Sequence, residues 1–155
     1  MFNHSIRVYA DTSVFGGVFD DEYAATSAAF FEKVKSGAFS LVVSATLERE
    51  IGDAPNHVLD LYRDIRREAD VIEEQDRIDL LCEAYIRHGI VTPKWEADAL
   101  HVASAAVSEC KLIVSWNFRH IVNFHRIQLY NAVNMLLGYR PLAIHTPAEV
   151  VSDEL

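Results

Sequence analysis

Apolar and polar positions along the chain alternate between two periods, and the switches between them predict a run of strands and helices. Ile6 to Ala10 reads as a strand. Residues 22–36 read as a helix, with Tyr23, Ser27, Phe30, Phe31 and Val34 on one face and Gly37 as its stop. Phe39 to Val43 is a second strand, followed by Ser44 as a cap for the helix SATLEREI. Pro55 opens a helix with Val58, Leu61, Tyr62 and Ile65 at helical spacing. A further helix covers about 76–88, with Ile78, Leu81, Cys82 and Tyr85 inward and Gly89 ending it. Thr92-Pro93 is a cap with proline at the first helical position, and it starts the helix WEADALHVASAA. Lys111 to Ser115 is a third strand. Ile127 to Leu137 is helical, with Ile127, Tyr130, Val133 and Leu137 on one side. Leu142 to His145 is a short last strand, and Thr146-Pro147-Ala148-Glu149 is a capping-box sequence. The charged stretch YRDIRREADVIEEQDRID reads as a solvated helix face.

Strands separated by helices predict an α/β protein, a three-layer α/β/α sandwich with a mostly parallel central sheet, in one domain over 1–155. In open sheets of this kind ligands bind beyond the carboxyl ends of the strands. Four polar islands stand near such points. Asp11 follows the first strand, Glu50 lies in the helix after the second, Asp98 opens its helix, and Asn117 follows the apolar run LIVS. Each has an ordinary structural role open to it. Asp11 suits an Asx turn or helix cap as well as a ligand, and the helix dipole favours Asp98. Between Glu48 and Glu50, helix geometry favours the second. Leu47, Ile51 and Ala54 define the buried direction, and Glu50 lies about 65° from it against about 95° for Glu48. His101, one turn after Asp98, suits either orienting a carboxylate or a structural place. Trp95 and Trp116 suit packing at a core rim, or stacking on a base.

If the fold brings the acids together, they need a cation or protons. Two carboxylates 4 Å apart repel by roughly 4 kcal/mol at an effective dielectric near 20, and a hard cation bound through oxygen relieves that. The net charge of −9 argues against a general basic nucleic-acid binder and favours a basic partner. There is no CxxC, HExxH, GxSxG, GxxxxGK[ST] or GxGxxG, which removes the familiar zinc, serine-hydrolase and nucleotide-loop chemistries. Two cysteines, Cys82 and Cys110, read as reduced thiols of a cytoplasmic protein. MFNHSIRVYAD lacks the pattern of a signal peptide, and no window approaches a membrane span, so no membrane partner is expected.

Together, VYADTSVFGG, SATLEREI, EADALHVASAA and LIVSWNFRHIVN resemble the PIN domain family, in particular the VapC-like ribonucleases of toxin–antitoxin pairs. The likeness spans nearly the whole chain; DTS after the first strand and ADALHVA are its more specific parts. It implies a metal-dependent endoribonuclease with Mg²⁺ or Mn²⁺ held by Asp11, Glu50 and Asp98. It also implies an RNA substrate, a homodimer, and an antitoxin whose basic residue fills the acidic pocket. The family's fourth acid is matched here by Asn117, which removes one negative charge. Thr12, Ser13, Arg119 and His120 are the candidates to hold phosphate. The rival reading is a PIN-like RNA- or protein-binding module in which Asn117 marks weakened or lost catalysis.

Overall fold

The computed structural model describes residues 5–152. Five strands, β1 (Ile6–Ala10), β2 (Phe39–Val43), β3 (Asp70–Val71), β4 (Leu112–Val114) and β5 (Ala143–His145), form one sheet in the order β3-β2-β1-β4-β5. Every pairing is parallel, so the sheet is parallel throughout rather than mostly so. Successive strand residues face opposite sides. Tyr9, Val42, Ile113 and Ile144 point to one core, while Val8, Ala10, Leu41, Val43, Leu112 and Val114 point to the other. The three-layer α/β/α sandwich follows from this two-sided burial.

The first core packs against α5 (Gln75–Arg87), α6 (Glu96–Val107) and α7 (Phe124–Leu136). The second packs against α1 (Thr12–Gly17), α2 (Ala24–Lys35), α3 (Ala45–Gly52) and α4 (Asn56–Arg66), with α8 (Pro147–Val150) alongside. Ala99, Ala103, Ala105 and Ala106 of α6 are buried, and these small side chains let the helix lie close to the sheet. Two of the expected helix caps form. Ser44 Oγ accepts the Leu47 N–H at 3.2 Å, and both halves of the Thr146–Glu149 capping box form. Gly37 and Gly89 take φ of +86° and +77° just past α2 and α5, a conformation costly for any side chain.

Several expectations are corrected. The charged stretch from Tyr62 to Asp79 is not one helix face: α4 ends at Arg66, β3 follows, and α5 begins only at Gln75. Helical charge spacing could not reveal a two-residue edge strand, because its pairing partner is β2. Residues 12–17, with their two glycines, form the unforeseen α1. Thr92-Pro93 leads into a single 3₁₀ turn, Pro93–Trp95, and the Thr92 side chain caps nothing; α6 starts after Trp95. Leu137 lies past α7 and is exposed. Asn134 takes the inward place instead, accepting a hydrogen bond from the Tyr85 hydroxyl. Among the described residues no helix is long and apolar enough to cross a membrane.

Candidate functional site

β1 has β2 on one side and β4 on the other, so the chain reverses its winding direction at the β1–β4 boundary. Such a switch point splays the connections and leaves a crevice beyond the strand ends. Asp11 follows β1 there, and Ser115 to Asn117 follow β4. Asp11 occupies the cap position of α1, yet its carboxylate caps no helix N–H. It accepts the hydroxyls of Ser13 at 2.5 Å and Ser115 at 2.7 Å. Those serines in turn accept the backbone N–H groups of Trp116 and Asn117, each at 2.9 Å. The two hydroxyls thus lock the end of β1 to the turn after β4. Asp11 is only 4% exposed. Burial raises its pKa, the His101 imidazole and the two serines oppose that, and the charge of Asp98 adds to it.

Glu50 projects from α3 toward the same place, as its helical angle predicts. Its Oε1 accepts the Thr12 hydroxyl at 2.7 Å and hydrogen-bonds His101 Nε2. Burial works to raise the Glu50 pKa, but these bonds outweigh it and the net shift is downward. Glu48 instead faces away, bonded to Tyr62 and Arg66. Asp98, in the first turn of α6, has a pKa raised by burial and by Glu50, against a hydrogen bond from Asn117 and the histidines 120 and 101. Asp98 is therefore coupled by charge both to Asp11 and to Glu50, although the three come from remote segments. Among the described residues, no group of three or more His, Cys, Asp or Glu side chains is arranged as it stands to hold a metal ion.

Asn117 is oriented by its turn. Its Oδ1 accepts the backbone N–H of Arg119 at 3.2 Å and of His120 at 2.9 Å. Two backbone donors settle which way the amide points, so its nitrogen, not its oxygen, meets Asp98. The Asn117 carbonyl oxygen is committed to the backbone.

A cleft of about 440 Å³ is lined by Glu50, Asp98 and Asn117 together with Lys94, Trp95, Arg119 and His120. Asp11 does not line it. Trp95 stacks on His120 at 4.3 Å, and Lys94 and Arg119 lie over the indole at 5.1 and 5.5 Å. His120 is buried, its pKa is lowered by that burial, and neither ring nitrogen has a hydrogen-bond partner among the described residues. Of the four expected phosphate contacts, Arg119 alone offers charge to the cleft. Thr12 and Ser13 have turned their hydroxyls to Glu50 and Asp11, and His120 presents a covered, neutral-leaning ring. Trp116 sits away from the cleft, stacked on Tyr23 at 4.1 Å and bonded to Ser27. The residue that sequence reasoning missed is Tyr9, which hydrogen-bonds His101; an aromatic in a buried strand carries no signal of that.

No family model matches the chain, and no curated protein sequence matches it.

Proposed function

We propose that this protein is a metal-dependent endoribonuclease of the PIN kind, using Asp11, Glu50 and Asp98. The observation that carries the reading is the gathering of acids from remote segments at the carboxyl edge of a parallel sheet: Glu50 and Asp98 line one cleft with Lys94 and Arg119, and Asp11 stands next to Thr12, which donates to Glu50. The donor chemistry fits Mg²⁺ or Mn²⁺, which favour carboxylate oxygen. Each carboxylate oxygen has two lone pairs, so the serine bonds leave Asp11 acceptor capacity, and both hydrogen bonds to Glu50 fall on Oε1 alone. Asp11, Asp98 and Glu50 would hold the ion, with the serines orienting Asp11 from behind. When bound, such an ion supplies Lewis acidity and the acidified water that hydrolysis requires.

The chain's own groups do the rest. Glu50, held by Thr12 and His101, takes the proton of the attacking water. Lys94 and Arg119, which line the same cleft as Glu50 and Asp98, balance the charge of the phosphodiester. Trp95 gives those two cations a flat apolar base. An antitoxin with a basic residue suits the net charge of −9. We also propose a homodimer. The outer face of α7 exposes Phe124, Leu129, Met135 and Leu136 and carries no charged residue, so two acidic copies can meet there without repulsion.

One observation favours the rival, a binding module with weak or lost catalysis. The Asn117 oxygen is taken up by its own turn, so this position supplies no ligand. Mn²⁺ titration by calorimetry, with RNA cleavage measured on wild type, Asp11→Ala and Asp98→Ala, decides between them. The nuclease reading expects heat of binding and cleavage that both substitutions abolish while the fold persists. No heat, and cleavage unchanged in both variants, ends it.

A further inference from the structure

A chain of buried polar groups runs from the core to Glu50. Tyr9 is the last residue but one of β1 and is fully buried on the α6 side of the sheet. Its hydroxyl is 2.7 Å from Ser44 Oγ and 2.6 Å from His101 Nδ1. His101 is 2% exposed, and its other nitrogen, Nε2, meets Glu50 Oε1. Ser44 Oγ already accepts the Leu47 N–H as the cap of α3. The same helix carries Glu50, so the cap and the carboxylate belong to one rigid unit.

The protons can be counted. Ser44 is buried, so its hydroxyl proton needs an acceptor, and the Tyr9 oxygen is the partner within reach. Tyr9 then donates its own proton to His101 Nδ1. With Nδ1 an acceptor, the ring carries its proton on Nε2, which donates to Glu50. Every proton in the chain finds an acceptor under this assignment. The reverse polarity sends Tyr9 to Ser44 and leaves the serine proton without one. Stability alone does not call for such a chain, because apolar groups of the same shape can replace a satisfied buried pair at little cost.

We propose that Ser44, Tyr9 and His101 form a buried relay that fixes His101 as its Nε2–H tautomer and aims that N–H at Glu50. Tyr9 and His101 are then positioning residues for the Glu50 carboxylate. The catalytic consequence rests on the nuclease reading; the tautomer does not. Tyr9→Phe removes one oxygen and keeps the ring that fills the core.

Two-bond ¹H–¹⁵N correlation spectra at neutral pH read the tautomer, the His101 ring being identified by its loss in His101→Gln. The wild type is expected to show a protonated Nε2 and an acceptor Nδ1. Tyr9→Phe is expected to lose that single pattern, and RNA cleavage falls about 10- to 100-fold, the usual effect of removing a group that orients a metal-site residue. A wild-type ring protonated on Nδ1, or on both nitrogens, overturns the relay without need of any variant. So does a Tyr9→Phe protein with the wild-type ring pattern and undiminished cleavage. A wild type that holds the Nε2–H ring, loses it in Tyr9→Phe, and cleaves no RNA defeats the nuclease reading and supports the relay.

Discussion

Gly16 and Gly17 are neighbours at the end of α1, yet alanine is expected to act oppositely at the two positions. A Cβ on Gly16 meets nothing within 4 Å. Gly16→Ala therefore gains the helix-propensity difference of about 0.5–1 kcal/mol. A Cβ on buried Gly17 lies 2.6 Å from Ser27 Oγ and 2.9 Å from Trp116 Nε1. Those two atoms are hydrogen-bonded to each other at 2.9 Å. Neither can easily yield: Ser27 is fully buried, and the indole is stacked on Tyr23. Overpacking costs about 1–3 kcal/mol, and parting a buried hydrogen bond adds about 1 kcal/mol. The propensity gain offsets at most about 1 kcal/mol of this. Gly17→Ala should thus destabilise by about 1–3 kcal/mol, or roughly 2–12 °C in Tm for a chain of this size. Urea unfolding followed by tryptophan fluorescence measures it, with the m value checked for constancy. A midpoint for Gly17→Ala at or above wild type refutes the packing argument. The consequence reaches the site, because the Trp116 N–H is held by Ser13, which also holds Asp11.

Other expectations concern the acids and thiols. Asn117→Asp keeps an oxygen for the two backbone donors and sets a second one against Asp98, a repulsion of up to about 4 kcal/mol for charges 4 Å apart. The variant should melt below wild type in EDTA and bind Mn²⁺ more tightly; equal melting in EDTA would show that the amide does not face Asp98. The pKa of Asp11 is raised on folding, so the folded state holds that proton more tightly, and stability falls as pH rises from the unfolded to the folded value. Asp11→Asn removes this slope, so its metal-free stability relative to wild type should be greater near pH 7 than near pH 4. Glu50, lowered on folding, has the opposite slope and cancels between the two proteins. Thermal melts giving a difference independent of pH would contradict the burial argument. Burial also pushes the Cys82 thiol up to about 12 and Cys110 to about 11. Neither should react with a disulfide reagent near pH 8 until urea is added, and a thiol titrated in the native protein would refute this.

Local features are legible in the sequence alone. Ser44 and the Thr146–Glu149 box cap their helices because capping is settled within four residues. The choice of Glu50 over Glu48 follows from 100° per residue on a helix whose buried side is plain in Leu47 and Ile51. α/β layering follows from strands too apolar to face water on either side. These properties depend on neighbours in the sequence, and periodicity records them.

Tertiary structure alone decided what depends on partners far along the chain. The strand order that sets Asp11 beside Ser115 is a choice of neighbours, on which periodicity is silent. A two-residue β3 exists only because β2 is there to pair with it. The Asn117 carbonyl turns to its own loop while its amide meets Asp98, and residue type cannot tell those apart. Tyr9 is one more apolar-face residue until His101, 92 positions away, presents a ring nitrogen to its hydroxyl. Side-chain direction and hydrogen-bond polarity are properties of pairs, and a pair distant in sequence comes into being only when the chain has folded.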